Sequence, residues 1–277
     1  MKAVQGEILE ALTLSRNPTA AVLFWGGFLW MLSCGDAPAR PQIGPLPEKP
    51  NQVRVCRRIG TDKVVNDFYR RRRLVMVREQ IEARGVRDPS VLDAMLVVPR
   101  HKFAPAEFID DAYADRPLPI GEGQTISQPY MVAFMCELLE LEEAHTVLEI
   151  GTGCGYHAAV LSLLAQQVFS IEIVESLGRS AQQRLENLGY DNVVVSVGNG
   201  YLGLPDKAPF DRIILTAAPT ELPPTLIDQL KPGGRLVAPI GPVNGHQELV
   251  LVTKDPTGKV HQRSVLPVRF VPMVRTP

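Results

Sequence analysis

Aromatic side chains make up only 6% of the chain, and cysteine is rarer still, with four in 277 residues. Cys34, Cys56, Cys136 and Cys154 form no C-x-x-C pair, and the five histidines are scattered. This argues against a disulfide framework and gives no ligand spacing for a metal site. Neither sign of charge is in excess, since 29 Lys and Arg face 30 Asp and Glu. A net charge near zero supplies no global field toward nucleic acid or an acidic membrane. No apolar run reaches the roughly 20 residues that span a bilayer. The hydrophobic share, 45%, is that of a globular chain, and the length suits one large domain or two small ones.

The first 63 residues differ from the rest and read as an unfolded N-terminal extension, with a folded domain over 64–277. Residues 19–34 form a continuous apolar stretch ending in Leu-Ser-Cys, the length of a signal-peptide core. The segment before it is long and only mildly basic, with Lys2 and Arg16 offset by Glu7 and Glu10. Residues 35–52 are proline-rich and read as a linker. Two readings stand. Either the segment exports or anchors the protein, or it is a non-folding extension on a cytoplasmic enzyme, which is the favoured reading.

From 64 to 84 the spacing predicts a helix with Leu74, Val77 and Ile81 on one face, and the run Arg70–Arg73 reads as its solvated face. Gly85 stops it, and Asp88-Pro89 starts another, with Asp88 as N-cap and Pro89 at the first helical position. Residues 99–129 read as a long loop, and a helix follows at 130–141. Strands are then predicted at 146–150, 168–172, 193–197, 210–215 and 235–240, alternating with helices at 156–165, 176–188 and 222–230. That alternation implies an α/β fold: a doubly wound, mainly parallel sheet with helices on both faces. Strands at 248–253 and 259–268, joined by Asp255-Pro256-Thr257-Gly258, close it with an antiparallel hairpin.

One stretch stands out. Val-Leu-Glu-Ile at 147–150 runs into Gly151, Gly153 and Gly155. A strand turning sharply into a helix lets backbone approach a ligand closely. Glu172 ends the next apolar run, about 20 residues on, where a carboxylate accepts both hydroxyls of a ribose. The dinucleotide fingerprint is G-x-G-x-x-G, but here Tyr156 stands at the third glycine and crowds the place of a diphosphate. The alternating spacing is instead that of loops that wrap the amino-acid end of S-adenosylmethionine. Loops at 151–155, 172–175, 198–203 and 216–220 fall beyond the carboxyl ends of strands, where ligands sit in such sheets.

The chain resembles the protein-L-isoaspartate O-methyltransferases over residues 64–273. The resemblance rests on Val-Pro-Arg-His at 98–101, on Asp115 through Gly-Gln-Thr-Ile-Ser-Gln-Pro to Tyr130, and on Glu-Ile-Gly-Thr-Gly at 149–153. Ala-Pro-Phe-Asp at 208–211, Thr-Ala-Ala-Pro at 216–219 and Phe-Val-Pro at 270–272 extend it. It implies a Rossmann-like methyltransferase that uses S-adenosyl-L-methionine to repair isoaspartyl residues in aged proteins and peptides. It implies Ser127 beside the transferred methyl, with Thr125, Gln128, Ala217 and Ala218 positioning the substrate. The cofactor set it implies is Glu149, Gly151, Thr152, Gly153, Gly155, Glu172, Asn199 and Gly200, with no metal. Partners are then isoaspartyl proteins and peptides, without nucleic acid or stable membrane insertion, and the enzyme is expected to be monomeric. The family usually has Asp where Asn199 stands, so cofactor binding is expected to be weaker. A methyltransferase for another small acceptor, and a non-catalytic nucleoside-binding relative, remain as alternatives.

Overall fold

A computed structural model of the chain describes residues 63–275. The apolar stretch at 19–34, the segment at 35–52 and both Cys34 and Cys56 lie outside them. Among the described residues no helix is long and apolar enough to cross a membrane.

The helices are α1 (Lys63–Val75), α2 (Pro89–Val97), α3 (Pro129–Leu139), α4 (Tyr156–Ser162), α5 (Glu175–Leu188) and α6 (Pro224–Asp228). The strands are β1 (Leu118–Gly121), β2 (Gln124–Ile126), β3 (Thr146–Ile150), β4 (Gln167–Glu172), β5 (Val193–Val197), β6 (Phe210–Leu215), β7 (Leu230–Ile240), β8 (Gln247–Lys254) and β9 (Val260–Val268). Seven strands form one sheet in the order β5-β4-β3-β6-β7-β8-β9. From β5 to β7 neighbours run parallel, while β7–β8 and β8–β9 are antiparallel, so the expected terminal hairpin lies at the edge. The order reverses at β3, with β4 on one side and β6 on the other. This is the switch point at which such sheets open a crevice.

Side chains alternate across the sheet with period two. Val147, Ile214, Val237 and Leu249 join one core with α2, α3 and α4, while Leu148, Ile213, Leu236 and Val250 join a second core under α6. Both faces are covered, the second more thinly.

Several elements depart from expectation. The 64–84 helix is not uniform: α1 passes into a π-helical turn at Met76–Ile81 and a 3-10 turn at Glu82–Arg84, ending at left-handed Gly85. Arg73 is not solvated. It is buried, with Nε donating to Leu96 O at 2.6 Å and Nη1 to Tyr113 Oη at 3.0 Å. Arg72 likewise donates to Asp110 O at 2.5 Å. Half of the basic run thus clamps α1 to α2 and to the segment after it. Residues 99–129 are not one loop. They hold 3-10 turns at Arg100–Lys102 and Ala106–Asp111, then the β1–β2 hairpin, whose turn carries positive φ at Gly121, Glu122 and Gly123. The five prolines in this stretch (99, 105, 117, 119 and 129) mask it as irregular. The helix expected over 222–230 shrinks to α6 because buried Leu230 already pairs with Phe210 and opens β7.

Asp88 caps α2 as expected, its Oδ1 accepting from Ser90 N at 2.8 Å and Val91 N at 3.2 Å, with Pro89 at the first turn. Asp88→Ala is expected to lower stability by about 1 kcal/mol. Urea unfolding checks this, and an unchanged midpoint would contradict the cap's role.

Candidate active site

The crevice at the switch point is built from backbone. Gly151 N donates to Ile171 O at 2.8 Å, turning the chain out of β3 with φ +99°. A Cβ on Gly151 would stand 2.4 Å from Thr216 Oγ1, so no side chain fits. Gly153 N donates to Glu172 Oε2 at 2.8 Å, and Val174 N donates to Glu172 Oε1 at 3.0 Å. The Glu172 carboxylate therefore joins the glycine loop to the start of α5. Gly155, at φ +88°, packs against Leu185 and Ala181 where α4 begins. On the opposite wall Gly200 admits no Cβ, since one would lie 2.3 Å from Ile150 Cγ2.

All four loops expected at the carboxyl ends contribute: Gly151 and Gly153, Glu172 to Val174, Gly200, and Thr216 with Ala217. Two segments complete the lining. One is Gln124 and Thr125 from the β1–β2 hairpin, and the other is a strap, Val271–Val274, that follows β9. The strap is pinned on both sides of Ala218: Ala218 N donates to Val271 O and Met273 N donates to Ala218 O, both at 2.8 Å. Tyr201 Oη donates to Met273 O at 3.1 Å. Ala217 lines the crevice as expected. Ala218 is buried with both backbone groups taken by the strap, so it positions that segment and offers nothing to a substrate backbone.

Next to the crevice runs a wider groove of about 750 Å³, bordered by Arg84, Ser127, Gln128, Tyr130 and residues 266–271. Between the two lies a small cavity of about 30 Å³ lined by Ser127, Gly151, Thr152, Tyr156 and His157 among others. Thr125 and Thr216 border all three spaces. Ser127 is thus brought to the rim of the glycine loop. It sits between β2 and α3, where Gln128 precedes Pro129 at the first helical position. Gln128 borders the groove, and its Nε2 donates to Asp115 O at 3.2 Å.

Four of the expected cofactor residues stand back, among them Gly155, which packs against Leu185 and Ala181 and lines none of the three spaces. Glu149 is fully buried and lines none of the three spaces. Its Oε2 accepts from Ser170 Oγ at 2.5 Å, and Ser170 is bonded in turn to Thr152 Oγ1 at 2.6 Å. Its contribution is indirect, through the loop that Thr152 belongs to. Thr152 itself reaches only the small cavity. Asn199 does not line the crevice either; its Oδ1 caps the turn at Gly200–Leu202 by accepting from Tyr201 N at 3.0 Å. Burial pushes the Glu149 carboxyl up to about 8 and holds His157 down to about 3, so both are neutral at pH 7. Cys136 and Cys154 are free and buried, and no group of potential metal ligands occurs among the described residues.

Sequence reasoning missed Thr216 as a wall of all three spaces, His157, and the extent of the strap. Only Phe-Val-Pro at 270–272 and Thr-Ala-Ala-Pro at 216–219 pointed there. It also drew Ala-Pro-Phe-Asp at 208–211 into the resemblance, yet Asp211 lies at the far end of the sheet. It accepts from Thr146 N at 2.8 Å and pairs with Lys231 at 2.8 Å.

A parallel sheet reversing at β3, a glycine loop leaving that strand and an acid closing β4 define a Rossmann-like methyltransferase. The profile of the protein-L-isoaspartate(D-aspartate) O-methyltransferase family matches residues 71–276. A protein-L-isoaspartate O-methyltransferase of Nitrosospira multiformis is 54% identical over 74% of this chain and 88% of its own length. One from a Synechococcus strain is 46% identical over 90% of this chain and 98% of its own, a match that reaches upstream of residue 64. A crystal structure from Plasmodium falciparum, described as a putative protein-L-isoaspartate O-methyltransferase in complex with S-adenosyl-L-homocysteine, is 26% identical. It superposes with a TM-score of 0.63 over 72% of this chain and 96% of that one. The chain belongs to the protein-L-isoaspartate(D-aspartate) O-methyltransferase family.

Glu149 provides a test of the buried network. Its carboxyl titrates near 8 when folded against a reference of 4.5, so the folded state holds the proton more tightly. Stability is then lost as pH rises from about 4.5 through about 8, by at most about 1.4 kcal/mol per pH unit. Glu149→Gln, which cannot ionise, is expected to gain on the wild type over that range. Parallel unfolding curves at pH 6 and pH 9 would contradict it.

Proposed function

We propose that this chain moves a methyl group from S-adenosyl-L-methionine to the free carboxylate of L-isoaspartyl residues in damaged proteins and peptides. One observation carries the reading: Ser127, on the groove side, and Gly151, on the crevice side, border the same small cavity. A donor held by the glycine loop and an acceptor laid in the groove meet there.

The crevice fits the cofactor through its own chemistry. Gly151, Gly153 and Gly200 line it with bare backbone, and Glu172 keeps lone pairs for ribose hydroxyls after accepting two backbone N–H groups. The crevice is narrow, about 60 Å³, with the hairpin and the strap along its rim. Once bound, the cofactor supplies an electrophilic methyl on a sulfonium cation; the C–S bond breaks as an O–C bond to the carboxylate forms, leaving a thioether and a methyl ester.

The acceptor is already ionised at neutral pH, its reference pKa lying near 4, so no residue has to take a proton. What the chain supplies is alignment. Ser127 donates to one carboxylate oxygen and aims the other, while Thr125 and Thr216 wall the path of the methyl. Holding a near-attack geometry contributes several kcal/mol. Both reactants lose charge as they join, so a site shielded by the hairpin and strap favours the step. The groove, bordered by the backbone of 266–271, suits an extended peptide read mainly through its main chain.

The enzyme is read as a monomer. S-adenosylmethionine is made and held in the cytoplasm, which supports that location. The apolar stretch at 19–34 supports export or anchoring instead, and mass spectrometry of the native N-terminus separates the two.

Purified protein is expected to transfer labelled methyl to an isoaspartyl peptide and not to its aspartyl twin; equal labelling, or none at saturating cofactor, overturns the reading. Ser127→Ala is expected to lower kcat about 10- to 100-fold with the fold intact. Wild-type kcat in that variant would remove Ser127 from the reaction.

A further inference from the structure

Arg100 is the bulkiest of the described side chains with no exposed surface. Its Nε donates to Ala112 O and its Nη2 to Ser127 O, each at 2.8 Å. The guanidinium carbon lies 4.8 Å from the centroid of the Tyr156 ring. Its third nitrogen, Nη1, has no partner. The groups acting most strongly on it are Tyr156, electrostatically and as a side-chain hydrogen-bond partner, then Cys154 and Tyr113, none of them a carboxylate. All three are uncharged at neutral pH, because burial pushes each of them up.

Arg212 shows how unusual this is. It is also buried and also donates to backbone carbonyls, at Leu139 and Glu140; Arg235 acts against its charge, but the carboxylates Asp211, Glu142 and Glu140 act for it. A buried cation without a close countercharge costs folding free energy, which makes it a candidate for a functional role. The uncompensated guanidinium stands directly behind the peptide of Ser127, at the end of the groove.

We propose that Arg100 is the positioning residue for the methyl acceptor: its clamp on Ser127 O fixes the hydroxyl, and its unpaired charge draws the acceptor carboxylate to that hydroxyl. This rests on the reading that the groove receives a carboxylate. Arg100 does not border the groove, so it acts through the Ser127 segment and through its field, without touching the substrate.

The two roles separate in kinetics. Methylation removes the acceptor's negative charge, so a fixed cation stabilises the bound anion more than the transition state. The charge therefore acts on acceptor binding, and the clamp acts on the rate. It also has no hold on the neutral ester, which favours product release.

The test is steady-state kinetics of wild type, Arg100→Lys and Arg100→Met with an isoaspartyl peptide. Cofactor affinity by calorimetry and the unfolding midpoint are measured alongside. Arg100→Met is expected to raise KM for the peptide about 10-fold or more. Arg100→Lys keeps the charge and is expected to hold KM within about 3-fold of wild type while kcat falls in both variants. Cofactor affinity is expected to stay constant. An unmoved KM in Arg100→Met overturns the proposal and leaves Arg100 a structural clamp. A loss of cofactor affinity in place of peptide KM also overturns it, because the field would then serve the donor's own carboxylate. Arg100→Gln, which keeps a donor for the carbonyls, replaces Arg100→Met if that variant does not fold, with the same two outcomes. Absence of transfer by the wild type would instead sink the functional reading itself.

Discussion

The Glu172 carboxylate is the fixed point of the site. It ends β4, one strand from the switch point, and accepts from Gly153 N in the glycine loop and Val174 N at the mouth of α5. Without it the glycine loop would present unpaired donors and lose its tie to the neighbouring strand. Both oxygens of one buried acid thus hold the loop in a single shape before any ligand arrives. The same oxygens keep lone pairs for hydroxyl groups, so the group that orders the crevice also reads the ligand.

Everything around this point is arranged so that two spaces meet at one place. The order reversal at β3 opens the crevice, and the β1–β2 hairpin and the strap after β9 wall it from above. Ile120 of the hairpin approaches Gly153 closely, since a Cβ there would lie 3.2 Å from its Cδ1. Ser176 Oγ donates to Glu122 Oε1 at 3.0 Å, tying the hairpin turn to α5. The segment carrying Ser127 is held from behind by buried Arg100, and the α1–α2 region that supports it is clamped by Arg73. Two arginines, one that reads as surface charge and one as a plain motif letter, turn out to be internal braces.

What was legible in the sequence follows from local rules. The parallel strands announced themselves as apolar runs, the Asp88-Pro89 cap by residue type, and the ligand loop by three glycines whose φ values or close contacts exclude other residues. The motif around Ser127 gave the acceptor side through family resemblance alone. What was not legible depends on contacts between distant segments. Nothing local says that Arg73 reaches Leu96, that Ala218 spends both backbone groups on residues 271–273, or that Glu149 faces Ser170. The hairpin within 99–129 was hidden by prolines, and the shortness of α6 by Leu230 pairing with Phe210.

The most direct measurement is calorimetric titration of S-adenosyl-L-homocysteine into wild type and Glu172→Gln. The amide keeps the size of the side chain but replaces one acceptor oxygen with a donor that faces an existing N–H. Affinity is expected to fall at least about 10-fold, in line with the loss of charge-assisted hydrogen bonds. Equal affinity in the two proteins would mean that the crevice beneath Gly151 and Gly153 is not where the nucleoside is held.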